Sequence, residues 1–179
     1  GFRSCAYCIG NGYMISKNKL KYLCSLKIKK YRLKEQLLLV EGFRLINEAL
    51  RAEAFIQSIY YSTKILHNKD IQGFLNKCNH KKITLIEARQ EDIDKLSDSM
   101  NNQGIIAVIN TPNSNDRFIT GISDPNQLIL DGISDPGNMG NILRTADWFG
   151  LKKIYLSENS IDPYNAKTIR SSMGAHFYI

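Results

Sequence analysis

The stretch "LILDGISDPGNMGNILRTADWFG", residues 128–150, decides the fold. It begins with an apolar run, continues through a glycine-rich turn and ends in residues with the apolar spacing of a helix. Asp135 followed by Pro136 is typical of a helix start, because the carboxylate can cap free N–H groups and proline is tolerated at the first position. The stretch therefore predicts a strand, a turn and a helix from about Met139 to Gly150, which is the repeating unit of α/β proteins.

One arginine of this helix, Arg144, is predicted to face away from the core. The buried face is expected to hold the apolar residues Met139, Ile142, Leu143, Ala146 and Phe149. Open α/β folds bind ligands at the carboxyl ends of their strands, where this helix begins, so Arg144 is a candidate for function. The alternative, an ordinary exposed arginine beside glycines that only shape the turn, stays open. The sequence has neither the three-glycine dinucleotide fingerprint nor a Walker lysine.

Strand and helix patterns alternate along the rest of the chain. Helices are predicted at Lys17–Lys30, 43–50, 68–77, 89–98 and after Pro163, and strands at "EQLLLVEG", "IQSIYYS", "KITLIEA", "GIIAVIN", "QLILDG", "KKIYLS" and the terminal "AHFYI". This alternation predicts the α/β class, with a mostly parallel sheet covered by helices. A turn-rich segment separates two units, so we predict domains at 14–109 and 127–179, a linker at 110–126 and an unstructured or artefactual extension at 1–13.

Positive charge is concentrated near the beginning of the chain. The formal net charge is +7 and the isoelectric point is about 9.2. No acidic residue interrupts the bases Lys17, Lys19, Lys21, Lys27, Lys29, Lys30, Arg32 and Lys34. Such a patch favours a polyanion, and it favours nucleic acid over a membrane because no segment is apolar over a membrane-spanning length. We therefore predict contact with RNA or DNA in this region.

The cysteines indicate reduced thiols. Four cysteines are too few for a disulfide scaffold in a chain of 179 residues, which predicts a cytoplasmic protein. Cys5 and Cys8 have the spacing of a zinc knuckle, but no second tight pair of Cys or His follows in the usual register. We therefore expect no metal.

Three stretches resemble one family. "DGISDPGNMGNILRTADWFG" is similar to the first motif of the SpoU (TrmH-like) branch of the SPOUT RNA methyltransferases. "IRSSMGAHF", residues 169–177, resembles the R-x-S-x-G-A segment of that family. In the N-terminal half, "LLLVEGFRLINEAL" and "NNQGIIAVI" look like its substrate-binding domain of the ribosomal-protein L30e type. The likeness extends from about Ile15 to Ile179.

The resemblance implies a fold and a reaction. The fold is an L30e-like α/β domain followed by a partial SPOUT (α/β knot) methyltransferase domain. The reaction is transfer of a methyl group from S-adenosylmethionine to a ribose 2′-hydroxyl of tRNA or rRNA, by a protein that is a homodimer at full length. In such enzymes the arginine that matches Arg144 is catalytic, and the asparagine that matches Asn138 supports the site. Two roles for Arg144 stay open: a base, or the favoured role of a cation that pins phosphate and stabilises the developing alkoxide.

Further RNA contacts are expected on both halves. Arg170 and Ser172 match the second motif of the family and can contact RNA or brace the site, and Arg170 can instead meet helix carbonyls. Glu41 and Arg44 match its E-G-x-R pattern, in which Arg44 can bind phosphate while Glu41 caps the following helix. Together with the basic run, the expected RNA-binding residues are Lys29, Lys30, Arg32, Arg44, Arg170 and Ser172.

The likeness ends before two later motifs of the family, a glycine-rich G-N-E segment and an S-L-N-V segment. In the family these form the knot that encloses the methyl donor. We therefore expect the cofactor-binding residues downstream of Ile179, in a chain that is truncated and by itself inactive. A non-catalytic RNA-binding protein that uses the L30e-like domain is the main alternative. A nucleotide-binding oxidoreductase is disfavoured by the missing fingerprint, and the sequence does not indicate which RNA or nucleotide is modified.

Overall fold

The computed structural model describes residues 15–111 and 127–179, which form a mixed α/β structure. The predicted extension at 1–13, with Cys5 and Cys8, lies outside the described residues, as does most of the predicted linker. Asn110, expected to begin that linker, belongs to the last strand of the N-terminal half. Within the described ranges, no helix combines the length and apolar character needed to cross a membrane.

The N-terminal half, residues 15–111, contains five α-helices and four strands. In chain order these are α1 (Lys17–Ser25), α2 (Lys29–Glu35), β1 (Leu37–Glu41), α3 (Phe43–Arg51), β2 (Ile56–Tyr61), a 3-10 helix (Thr63–His67), α4 (Lys69–His80), β3 (Thr84–Glu87), α5 (Gln90–Leu96) and β4 (Ile105–Asn110). The strands lie where their apolar runs predict them.

The sheet of this half is mixed, so the expectation of a mostly parallel sheet is wrong. Its strand order is β1-β4-β2-β3, in which β4 runs antiparallel to both β1 and β2, and only β2 and β3 are parallel. The insertion of the last strand between the first two explains the unbroken apolar run Ile105–Ile109. Every residue of this run is buried, because a central strand is covered on both faces.

Helices cover both faces of the sheet and form two cores. One core lies under α3 and α4 and includes Ile46, Ala49, Phe74, Leu75, Cys78 and Ile59. The other lies under α1 and α5 and includes Leu23, Leu26, Ile93, Leu96 and Tyr60.

The predicted single helix Lys17–Lys30 is two helices in the structure. The chain turns after Ser25, and α2 begins at Lys29. The Arg32 guanidinium folds back to donate hydrogen bonds to the carbonyls of Leu26 and Lys27, at 3.0 and 2.6 Å. Helical spacing in the sequence cannot reveal this contact, which satisfies two carbonyls that the break leaves without helical partners.

The C-terminal half, residues 127–179, contains a parallel pair of short strands flanked by helices. Its elements are β5 (Leu128–Leu130), α6 (Pro136–Trp148), β6 (Ile154–Leu156), α7 (Ala166–Ser171) and a 3-10 helix (Ala175–Phe177). The predicted terminal strand is wrong, because Gly174 adopts a φ of 101° and the chain then closes a short 3-10 helix. Phe149 was also expected in the core, but α6 ends before it and its side chain is 77% exposed.

Helix α6 packs closely against α7 at Gly140. A Cβ added there would lie 1.9 Å from Ser171 Oγ and 2.8 Å from the backbone nitrogen of Ser172. Any side chain at this position would therefore force the two helices apart. The absence of a side chain at Gly140 thus permits the close approach of a neighbouring helix.

The two halves meet along a seam, the surface where α7 packs against β1. Ile169 of α7 is buried in the core beneath α3 and α4. A buried ion pair joins Arg32 to Asp162, and the Tyr178 hydroxyl donates a hydrogen bond to Glu48, at 3.1 Å. These contacts fix the position of the second motif, residues 169–177, against the N-terminal half.

Candidate functional site

The start of α6 positions the first motif. The Asp135 carboxylate accepts a hydrogen bond from the Asn138 backbone N–H, at 2.7 Å, and Pro136 occupies the first turn. The predicted cap is confirmed, and because of it the helix begins at Pro136 and not at Met139. The Asn138 side chain is exposed. It is six residues from Arg144, roughly 9 Å along the helix axis and roughly 120° around it, so α6 alone does not bring the two side chains onto one face.

Arg144 lies on the exposed face of α6, as predicted. Its Nη1 donates a hydrogen bond to the thioether sulfur of Met173, at 3.2 Å. Among the described residues no carboxylate forms an ion pair with Arg144. The positive charge of the guanidinium is therefore not neutralised within this part of the protein, and it can meet an anion.

Met173 also lines an open cleft at the seam, which we call the arginine cleft. Its volume is about 280 Å³, and its walls include Glu41, Gly42, Arg44, Gln103, Arg170 and Met173. Arg44 comes from α3 of the N-terminal half, and Arg170 comes from α7 of the C-terminal half. Met173 contacts Arg144, so a third guanidinium lies next to a residue of the cleft wall, although Arg144 is not itself a lining residue. The sequence motifs that hold Arg44 and Arg170 are far apart in the chain, and the seam brings these two arginines to one cleft.

The loop between α5 and β4 is hydrogen-bonded to the end of β1 and to the start of α3 beside the arginine cleft. The Gln103 side-chain oxygen accepts a hydrogen bond from the Phe43 backbone N–H, at 3.0 Å, and so caps α3. Glu41 was expected to cap that helix, but its carboxylate accepts from the Asp98 backbone N–H, at 3.2 Å. Gln103 and Met173 are among the cleft residues that sequence reasoning missed, and no local pattern marks either of them.

The basic residues proposed from the sequence divide into surface and interior positions. Lys29 and Lys30 are exposed on α2. Arg32 is only 8% exposed, because its guanidinium pairs with Asp162 and with two carbonyls. Ser172 is 1% exposed. Neither Arg32 nor Ser172 presents a surface to RNA in this conformation. Their expected role as RNA-binding residues is therefore replaced by a structural role.

Ser172 belongs to a buried polar network beneath the cleft. Its hydroxyl lies 2.6 Å from His176 Nδ1 and 3.0 Å from the Ile169 carbonyl oxygen. His176 Nε2 lies 2.6 Å from the Pro163 carbonyl oxygen, which can only accept. Nε2 therefore carries the ring proton and donates to Pro163, while Nδ1 accepts from Ser172. Burial lowers the pKa of His176 from 6.5 to about 4, against the opposing effects of the Pro163 hydrogen bond and the Asp162 charge.

This network predicts a loss of stability in mild acid. Because the folded-state pKa of His176 is depressed, the stability is present above pH 6.5 and is lost as the pH falls from 6.5 towards 4. Between pH 7.5 and pH 5 we expect the free energy of unfolding to fall by about 2 kcal/mol from this residue. Urea unfolding of the complete protein at both pH values measures this change in the free energy of unfolding. The variant His67→Gln, at an exposed histidine, should keep the pH dependence, and an equal dependence in His176→Gln would contradict the assignment to His176.

The described residues contain no group of three or more His, Cys, Asp or Glu side chains that could hold a metal ion. Cys24 and Cys78 are free thiols. Cys78 is buried in the core under α4, and burial raises the pKa of its thiol to about 11, so it stays protonated at neutral pH.

Two family models match the chain. The MRM3-like substrate binding domain matches residues 17–107, and the SpoU rRNA Methylase family matches residues 125–179. The first match covers the half that supplies Arg44, and the second covers the half that supplies Arg144 and Arg170. The domain boundaries proposed from composition, 14–109 and 127–179, remain predictions.

Two of the curated relatives are named as methyltransferases of ribosomal RNA. The chain is 34% identical over 155 residues to the human (Homo sapiens) "rRNA methyltransferase 3, mitochondrial", with 84% of this chain and 36% of that protein covered. It is 29% identical over 161 residues to "23S rRNA (guanosine(2553)-2'-O)-methyltransferase RlmP" of Bacillus subtilis, with 90% of this chain and 60% of that protein covered. The chain thus spans about a third of the one relative and three fifths of the other.

Solved structures of similar fold carry similar names. An AdoMet-bound rRNA methyltransferase from Sinorhizobium meliloti is 26% identical, with a TM-score of 0.74, and the match covers 93% of this chain and 62% of that chain. An RNA 2'-O ribose methyltransferase is 27% identical, with a TM-score of 0.69, and the match covers 90% of this chain and 60% of that chain.

Proposed function

Because the chain belongs to the SpoU/TrmH-like family of RNA methyltransferases, we propose that it serves methyl transfer from S-adenosylmethionine to a ribose 2′-hydroxyl of ribosomal RNA. The observation that carries the proposal is the position of Arg144. Its guanidinium contacts Met173, which lines a cleft together with two other arginines, and no described carboxylate forms an ion pair with it. Ribosomal RNA is chosen over tRNA because both cited relatives are named as rRNA enzymes.

Arg144 serves the reaction by positioning and by electrostatics. A ribose hydroxyl is a weak nucleophile at neutral pH, so it must be held in line with the methyl group while its proton leaves. A guanidinium presents five N–H donors and no acceptor, and therefore we assign Arg144 the role of a donor and not of a base. Its planar fork binds phosphate oxygens in a bidentate manner and stabilises negative charge that develops on the ribose oxygen.

Arg44 and Arg170 hold the RNA backbone beside that position. They come from different halves, so a strand bound by both would lie across the seam. The exposed lysines Lys29 and Lys30 on α2 extend the basic surface of the N-terminal half. Contacts of this kind supply affinity and register without reading base sequence.

The methyl donor is proposed from the family and not from this cleft. S-adenosylmethionine carries a sulfonium cation and would supply an electrophilic methyl group. The arginine cleft is open, and its lining holds two guanidinium groups against one carboxylate, a balance that does not favour another cation, so this cleft does not fit the donor. We assign this cleft to RNA and derive no step through the donor.

Product analysis of the complete protein tests the proposal. Ribosomal RNA is incubated with the protein and methyl-labelled S-adenosylmethionine, then digested to nucleosides and analysed by mass spectrometry. We expect the label in a 2′-O-methylnucleoside. Label confined to a base, or no incorporation into ribosomal RNA while tRNA is methylated, would contradict the proposal as stated.

The cleft arginines should set the salt dependence of RNA binding. Each phosphate contact that is lost lowers the slope of log K against log salt by roughly 0.7–0.9. We expect Arg44→Ala and Arg170→Ala each to lower the slope by that amount and the double variant by about twice as much, as measured by fluorescence anisotropy with an rRNA fragment. Lys77→Ala removes an exposed charge of α4, which does not line the cleft, and should leave the slope within error. An unchanged slope in the double variant would place the RNA elsewhere.

A non-catalytic RNA-binding protein is the second candidate, and the exposed lysines of α1 and α2 favour it. In that case RNA binds in the anisotropy assay while the product analysis detects no methyl transfer to any RNA. A homodimer and a cytoplasmic location both stay predictions. The named relatives include a mitochondrial and a bacterial protein, so they do not indicate a single location.

A further inference from the structure

The turn that presents Met173 has an unfavourable backbone conformation. Met173 follows α7 and has a φ of 54°, in the left-handed region where a residue with a Cβ is disfavoured and glycine is not. Its side chain is nevertheless 55% exposed, so burial of the side chain in the core does not offset this cost. Its hydrogen-bond contact is with Arg144. Gln36, Glu53 and Lys82 also have a positive φ just after a helix, so the conformation alone does not mark a function, and what distinguishes Met173 is its contact with Arg144.

The neighbours of Met173 hold the turn from both sides. Before it, Ser172 is held by the hydrogen bond that its hydroxyl donates to His176 Nδ1. After it, Gly174 has a φ of 101°, and a Cβ added there would lie 2.9 Å from Glu48 Cβ on α3. The turn is therefore clamped between the buried network of the C-terminal half and a helix of the N-terminal half.

The chemistry of the contact suits an arginine that must stay available. A thioether is neutral and a weak acceptor, so it orients the guanidinium without neutralising its charge. A carboxylate in the same place would form an ion pair with Arg144 and compete with RNA phosphate. Methionine thus occupies one donor of the fork and leaves the positive charge for the RNA.

We propose that Met173 is a positioning residue, which holds the Arg144 guanidinium beside the arginine cleft and ties its position to the docking of the turn on α3. This inference rests on the proposed function, because it assigns Met173 a part in the same methyl transfer. The packing of α3, in the N-terminal half, against the turn at Met173 and Gly174 then sets the position of Arg144 in the C-terminal half.

Two substitutions in the complete protein test the proposal. Met173→Gly removes the thioether and relieves the left-handed strain, and we expect kcat to fall about tenfold, since small displacements of a catalytic group have effects of this size or larger. KM for RNA should change less than about twofold, and Tm should not fall. Met173→Leu keeps the bulk without the acceptor, and we expect kcat to lie between those of Met173→Gly and the unsubstituted protein.

The matched control is Lys82→Gly. Lys82 also has a positive φ, of 59°, but it follows α4 and does not line the arginine cleft. We expect this variant to keep its kcat. An unchanged kcat in Met173→Gly, or a fall in kcat matched by a fall in Tm, would overturn the inference.

A measurement without turnover separates this inference from the proposed function. Phenylglyoxal modifies accessible guanidinium groups, and mass spectrometry gives the rate at Arg144. We expect the rate to rise at least about threefold in Met173→Gly, because the guanidinium loses its hydrogen bond to the thioether. Equal rates would overturn the role of Met173 whether or not the protein methylates RNA. If the rate rises but the protein transfers no methyl group, the contact between Met173 and Arg144 stands and the proposed methyl transfer does not.

Discussion

Replacing Arg144 with lysine in the complete protein should lower the rate of methyl transfer by about 100-fold or more, the range found when a single charge-stabilising donor is removed from an active site. Lysine keeps the positive charge, so the attraction to RNA changes little, and we expect the dissociation constant for RNA to change less than about threefold. What is lost is the planar fork that can meet two oxygen atoms at once. Single-turnover kinetics with labelled methyl donor measures the rate, and anisotropy measures the binding.

Arg89→Lys serves as the control for that experiment. Arg89 is an exposed arginine before α5 that pairs with Asp92, at 3.1 Å, and it does not line the arginine cleft. Its replacement should leave the rate within about twofold. Near-normal turnover of Arg144→Lys would mean that the fork geometry is unnecessary and that charge alone suffices.

Replacing Asp162 with alanine should destabilise the protein by about 3 kcal/mol, because removal of one partner leaves a buried charge without compensation. The side chains of Arg32 and Asp162 are only 10% and 14% exposed. In the variant, the Arg32 guanidinium would keep its bonds to two carbonyls but lose its counter-ion across the seam. Urea unfolding at pH 7 gives the change in the free energy of unfolding.

The exposed ion pair of α3 provides the comparison. Arg51 pairs with Glu48, at 2.9 Å, and the Arg51 side chain is 67% exposed. Arg51→Ala should cost less than about 1 kcal/mol, since solvent screens such pairs. If Asp162→Ala and Arg51→Ala lower the free energy of unfolding equally, the ion pair between Arg32 and Asp162 contributes no more to stability than an exposed pair does.

Local patterns in the sequence were sufficient for the first motif. The capping of α6 by Asp135 and the outward position of Arg144 follow from residues close together in the chain, so helical periodicity predicts both. The unbroken apolar run of β4 likewise indicates a buried strand. These features depend on contacts within one element or with solvent, which a sequence pattern records directly.

Long-range contacts decided what the sequence could not indicate. The charge run around Arg32 is typical of an exposed basic face, but a carboxylate 130 residues away draws that side chain inside. The order of strands in the first sheet depends on where β4 inserts, and periodicity does not encode this. Gln103 and Met173 contribute to the arginine cleft only because the seam joins segments from both halves.

The central claim is that the arginine cleft and Arg144 hold the ribose that is methylated. A structure of the complete protein with its RNA tests it most directly. We predict that the Arg144 guanidinium lies about 3 Å from the target 2′-oxygen or its adjacent phosphate, with the RNA backbone between Arg44 and Arg170. A bound ribose on another face of the protein, with Arg144 in contact only with solvent and Met173, would contradict the account.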